Sequence, residues 1–146
     1  MSTSLISRLA HFRRLPPAQR LIFLQAIALL PIVEARLRWG GLKSVRAALE
    51  RLPVPSIRSP ALAREISRLV AAAARHGPLR SKCLATALAV QWMLRKHGLV
   101  SELRIGVRGT GPLMAHAWVE HDGVVLIEEP GVHDRFSAFP PVPTAR

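Results

Sequence analysis

After Gly98 the hydrophobic period of the chain changes from about 3.6 to 2, and this change constrains the fold more than any other feature. Upstream, apolar residues recur at spacings of three and four in one segment after another. Downstream, Glu102-Leu103-Arg104-Ile105-Gly106-Val107-Arg108 alternates polar and apolar, which predicts a strand. A turn at Gly109-Thr110-Gly111-Pro112 leads to a second strand, Leu113 to Glu120, and the Asp122-Gly123 turn leads to a third, Val124 to Glu128. Helices first and an antiparallel sheet second define the α+β class.

The helices have readable ends. Residues 1–15 predict a short amphipathic helix. Pro16-Pro17 suits a helix start, and a helix is expected from about Ala18 through Trp39. Pro31 should kink or split it, and Gly40-Gly41 should end it. A shorter helix, Leu42 to Arg51, precedes a proline-rich loop. Ser59 reads as an N-cap with Pro60 at the first helical position. The helix behind it carries Leu62, Ile66, Leu69, Val70 and Ala73 and stops at His76-Gly77-Pro78. The last helix, Cys83 to about Lys96, is apolar nearly all round, which predicts the buried central helix of the domain. The proline-rich end from Phe136 to Arg146 is expected to wrap the surface or fray.

Composition narrows the function classes. One cysteine in 146 residues excludes an internal disulfide framework and fits a reducing cytoplasm. Early arginines (Arg8, Arg13, Arg14) argue against a signal peptide. The longest apolar stretch, Leu21 to Val33, is shorter than the roughly 20 residues a membrane span needs, so it reads as a buried core helix with at most a weak membrane-surface association. The net charge of +12 is uneven: residues 1–100 hold 17 of the 21 bases and three of the nine acids, a net of +14. A basic half of this kind attracts nucleic acid, anionic membrane or an acidic partner. Nucleic acid is disfavoured, because the bases are single arginines among leucines, without a basic block, tyrosine or many aromatics for base stacking.

The chemistry concentrates in two places. Cys83 stands where the central helix begins, where the helix dipole with nearby Lys82 and Arg80 favours a thiolate and unpaired first-turn amides (Cys83, Leu84) can hold an oxyanion. His116 stands in the middle of the second strand, on a face shared with Trp118 and Glu120. A thiol at a helix start and an imidazole on a neighbouring strand form the layout of a Cys-His nucleophile pair. The other histidines are weaker candidates: His76 and His97 at helix ends, His121 in a turn, His11 and His133 isolated. Cysteine and histidines form no zinc-ligand spacing, and no metal or cofactor is expected. An acid to orient His116 depends on hairpin register. A two-residue Asp-Gly loop pairs 121 with 124 and sets His116 opposite Glu129. A three-residue loop pairs 120 with 124 and sets it opposite Glu128, about 5 Å away between Cβ atoms. The second is preferred because it keeps Val124 and Leu126 on the face of Trp118. Asp122 reads as the turn former and Asp134 as a distant fallback.

Cys83-Leu84 with Ala85, Ala87 and Leu88, then Gly98, then Leu103 to Val107, then Ala115-His116-Ala117-Trp118-Val119-Glu120 and Asp122-Gly123 resemble the transglutaminase-like cysteine peptidases of lasso peptide biosynthesis, closely over about residues 80–129. The resemblance implies a transglutaminase-like, papain-like core with the nucleophile at a helix N-terminus packed on a small antiparallel sheet. It implies Cys83 as nucleophile, His116 as base and Glu128 where the family usually has Asp, with Trp118 lining the substrate site. It implies a cytoplasmic bacterial leader peptidase acting on a ribosomally made precursor, alongside a separate small leader-recognition protein and a lasso cyclase. Residues 1–78 would then be a basic helical region docking partner and leader, and residues 79–146 the catalytic core. The competing readings are a transglutaminase-like acyl transferase and a non-catalytic basic helical adaptor.

Overall fold

The computed structural model describes residues 10–77, 82–109, 111–126 and 136–140. In chain order they form helices α1 (Pro17–Glu50), α2 (Pro60–His76) and α3 (Cys83–Lys96), then strands β1 (Glu102–Arg108), β2 (Met114–His121), β3 (Val124–Val125) and β4 (Ser137–Ala138). A helical stretch at residues 10–14 precedes α1. The strands make one antiparallel sheet in the order β3-β2-β1-β4, so the class is α+β.

Two helix-breaking signals in α1 have opposite outcomes. Gly41 adopts φ 64° and ψ −171°, a conformation close to glycine-only, and divides α1 into two helical segments. Pro31 neither splits nor ends the helix, and the backbone stays helical through it. Leu29, Leu30 and Val33 are buried on both sides of it, and their burial offsets the lost backbone bond, which costs about 3 kcal/mol. The stretch Leu21 to Val33 is not wholly buried as expected. Ile22, Ala26, Leu29, Leu30 and Val33 face the core, while Leu21, Leu24 and Ile32 are each more than half exposed. Among the described residues no helix is long and apolar enough to cross a membrane.

The ends of α2 and α3 follow their residues. Ser59 Oγ accepts the Leu62 N–H at 3.5 Å, with Pro60 in the first turn. At the end of α3, Leu99 N–H reaches Leu94 O at 2.8 Å and Gly98 N–H reaches Arg95 O at 2.9 Å, the paired bonds of a Schellman stop. The chain then turns directly into β1. Ile57 bridges to Leu99 there, fixing the α1–α2 loop against the α3–β1 connection.

One core joins helices and sheet. It runs from Ile22, Ala26, Leu30 and Val33 in α1 through Ile66 and Val70 in α2 to Leu88, Val90 and Leu94 in α3, and on to Leu103, Ala117 and Val119 in the sheet. Helix α3 packs against α1, α2, β1 and β2, which is the central position its all-round apolarity predicts. Strand alternation sends Leu103, Ala117 and Val119 toward the helices. Arg104, Gly106, His116, Trp118 and Glu120 occupy the other face, since Arg104 pairs with Trp118 and Gly106 with His116. The tail does more than wrap the surface: Ser137 and Ala138 pair with Val107 and Gly106, and Phe139 N–H bonds Ile105 O at 2.8 Å.

Candidate active site

Cys83 is the first residue of α3, and it is exposed. The residue before it, Lys82, is extended and makes no capping hydrogen bond with its side chain, in contrast to Ser59 at α2. Among the described residues, the start of α3 therefore has no side-chain acceptor of the kind that usually satisfies first-turn amides. The helix packs along β2, so the element that begins at Cys83 and the strand that carries His116 are in contact.

His116 is half-buried within an aromatic cluster. Its ring lies 5.2 Å from the Phe136 ring and 6.1 Å from Trp118, nearly parallel to the indole at 25°. Trp118 was expected to line the substrate surface. It is instead fully buried behind His116, and its indole N–H donates to Glu120 Oε1 at 2.9 Å. Arg104 Nε lies 3.9 Å from the same oxygen. The Arg108 guanidinium covers the Phe136 ring at 5.5 Å from its centre. Gly106, directly across from His116, lies beneath these rings: a Cβ there would stand 2.9 Å from Trp118 Cη2 and 3.0 Å from Phe136 Cβ. The imidazole is thus held by ring contacts on a strand anchored through a buried Trp–Glu–Arg chain. Sequence reasoning passed over Phe136 and Gly106. The signal for Gly106 was available, since a glycine inside a strand often marks a close approach.

The β2–β3 hairpin takes the two-residue register. His121 pairs with Val124 and Glu120 with Val125, and Leu126 N–H bonds Val119 O at 3.1 Å. Asp122 and Gly123 have φ of 51° and 76°, the signature of a type I′ turn, whose twist matches that of the strands it joins. The three-residue loop preferred from sequence is therefore wrong. A one-residue slip reverses every face, so Leu126 packs on the helical core and does not share the face of Trp118. A two-residue loop pairs 116 with 129, and the register argument for Glu128 falls with the longer loop. Glu128 and Glu129 themselves lie outside the described residues, as do Asp134, His133 and Arg80.

His121 is not a turn residue. It ends β2, is fully buried, and its Nδ1 lies 2.6 Å from Val100 O. It sits beside the C-terminal end of α3, the opposite end from Cys83, and ties β2 to the α3–β1 connection. Arg58 pairs with Asp122 and holds the turn from the helical side. The pKa of His97 is lowered, first by burial and then by the neighbouring Lys96 charge. Among the described residues no group of three or more His, Cys, Asp or Glu is gathered to hold a metal ion.

Residues 26–140 match the family model described as the transglutaminase-like superfamily. A search of curated proteins and a search of solved structures each found no match.

Proposed function

The chain belongs to the transglutaminase-like superfamily, and from that premise we propose that it is a cysteine peptidase removing the leader from a ribosomally made lasso precursor peptide. The observation that carries the reading is the exposed thiol of Cys83 at the first position of a helix packed on the strand of His116. Element lengths support it. The connection from α3 to β1 is short, so a strand packed back on its helix runs antiparallel to it. At about 1.5 Å per helical residue α3 is about 20 Å long. At about 3.3 Å per strand residue, Gly106 and its partner His116 stand roughly 16 Å back along it, near the level of its first turn.

In this mechanism His116 takes the Cys83 proton, and the thiolate attacks the scissile carbonyl. The Cys83 and Leu84 amides receive the oxyanion. Protonated His116 gives its proton to the leaving amine as the C–N bond breaks. Water, deprotonated by the same imidazole, then hydrolyses the thioester to a free carboxylate and returns the thiol. The third residue is an acid that orients the imidazole. The family resemblance places Glu128 there, while the two-residue hairpin favours Glu129. Glu128→Gln and Glu129→Gln tell them apart, because only the acting acid should depress the rate strongly. The product then passes to a separate cyclase.

The basic helical half is proposed to dock the leader and a separate leader-recognition protein in the cytoplasm. A cleft of about 480 Å³ along α2 suits an acidic segment, since Arg64, Arg68 and Arg75 line it beside a single acid, Glu65, which accepts a hydrogen bond from Gln19. A recognition protein whose removal leaves cleavage unchanged would count against this role.

Mass spectrometry of a cognate precursor incubated with this chain and the recognition protein tests the whole reading. A single cut at the leader–core boundary, lost in Cys83→Ala and in His116→Ala, is expected. A cut surviving Cys83→Ala would remove Cys83 as nucleophile. A new amide in place of a free carboxylate would establish acyl transfer instead. No cut with a verified precursor would favour the adaptor.

A further inference from the structure

Helix α1 presents two apolar faces, and among the described residues only one of them packs on the core. The buried face carries Ile22, Ala26, Leu29, Leu30 and Val33. Away from it, Leu21, Leu24, Ile32 and Trp39 are exposed at 57%, 52%, 51% and 83%. With the small residues Ala28 and Ala35 between them, their spacings of three and four form a straight line along the helix. The stripe from Leu21 to Trp39 is about 27 Å long at 1.5 Å per residue. No acid lies within it. Arg36 and Arg38 border it on opposite sides, each about 80° from its centre line at 100° per residue. Both are exposed, and neither makes an ion pair among the described residues. An apolar stripe of this size on a folded domain marks a contact surface.

We infer that this stripe rests on an anionic lipid surface. Three observations favour that occupant. The borders are cationic on both sides, so the occupant is anionic on both sides of an apolar centre, as a bilayer interface is. A second copy of the chain would bring arginine borders against arginine borders. The stripe is also a convex ridge, which a deformable interface accepts without a matching groove. Trp39, the most exposed large apolar residue of the stripe, lies at its end, and tryptophan is the side chain most at home in the headgroup region. The arginine stems would lie along the apolar boundary while their guanidinium groups reach lipid phosphates. This contact is peripheral and reversible. It is independent of the chemistry proposed for Cys83.

Vesicle co-sedimentation tests it, using phosphatidylcholine vesicles with and without phosphatidylglycerol. The chain should sediment with the anionic vesicles at low salt and much less with neutral ones. The variant Leu24→Gln/Ile32→Gln/Trp39→Gln leaves the charge unchanged and should bind the anionic vesicles about tenfold more weakly. Its urea midpoint, read alongside, should match the parent, because the three positions are exposed. Trp39 fluorescence, isolated by comparison with Trp39→Phe, should shift to the blue on binding. Failure of the parent to bind anionic vesicles at low salt would overturn the inference and assign the stripe to a protein contact. So would equal binding by the triple variant, which would reduce the effect to bulk charge.

Discussion

A methyl group at position 106 would stand 2.9 Å from Trp118 Cη2 and 3.0 Å from Phe136 Cβ, and both neighbours are rings packed against His116. Gly106→Ala should therefore destabilise the fold by about 1–3 kcal/mol through overpacking alone. An unchanged urea midpoint would show that the rings can give way. His97 makes a different prediction. Its Nε2 is buried without a hydrogen-bond partner among the described residues, and its pKa is lowered by burial and by Lys96. The unfolded chain, with a pKa near the ordinary value of about 6.5, then binds the proton before the folded chain does. Stability is full above that value and declines as the pH falls through the window down to the folded pKa. Urea unfolding at pH 7.5 and 5.5 should show this decline, and His97→Gln should make it shallower. An identical decline in the variant would assign it to other groups. At this scale Cys83 and His116 were legible in the sequence as candidates, because a lone thiol at a helix start and an imidazole between alanines stand out locally. Phe136 and the burial of Trp118 depend on a chain segment thirty residues from Gly106 in sequence, and no local pattern announces them.

Strand β1 was legible to the residue, since its alternation is strict and it is paired on both sides. The hairpin that follows was not. Val124, Val125 and Leu126 are all apolar, so period-two reasoning cannot choose a face, and only the chemistry of Asp122-Gly123 fixes the register. Strand β4 escaped notice because Ser137-Ala138 has little strand character of its own, and its pairing is supplied by the free edge of β1. In α1 the two breakers differ because one needs a special backbone and the other has only lost a bond. Gly41→Ala should cost about 1–3 kcal/mol, although nothing lies within 4 Å of the added methyl. Pro31→Ala should raise stability by about 1–2 kcal/mol, by restoring a backbone bond in a helix that is already continuous there. Thermal or urea midpoints of the two variants should move in opposite directions. Movement in the same direction would mean that Pro31 is supported by packing beyond its backbone.

The described helices and sheet share one core, and the sheet depends on the helices. Leu103, Ala117 and Val119 are covered by residues of the helical cluster. A fragment of residues 79–146 should therefore lack cooperative unfolding and dispersed amide resonances, and a fragment with native-like spectra would reveal a second core. The family match begins at residue 26, upstream of α2, α3 and the sheet. The uneven charge was legible in the composition, but which faces of the helices remain open was not, because that depends on how three helices divide their apolar stripes among themselves. The solitary exposed cysteine has a final consequence for the chain in air. A sulfenic acid formed at Cys83 has no second thiol in the same molecule to resolve it. Oxidation can stop reversibly at a mixed disulfide with another thiol, at a covalent pair of two chains or at a sulfenamide with a backbone nitrogen, and otherwise it advances to irreversible acids. The thiol proposed as the nucleophile is thus also the point of the molecule most open to oxidation, and a reducing surrounding would preserve it.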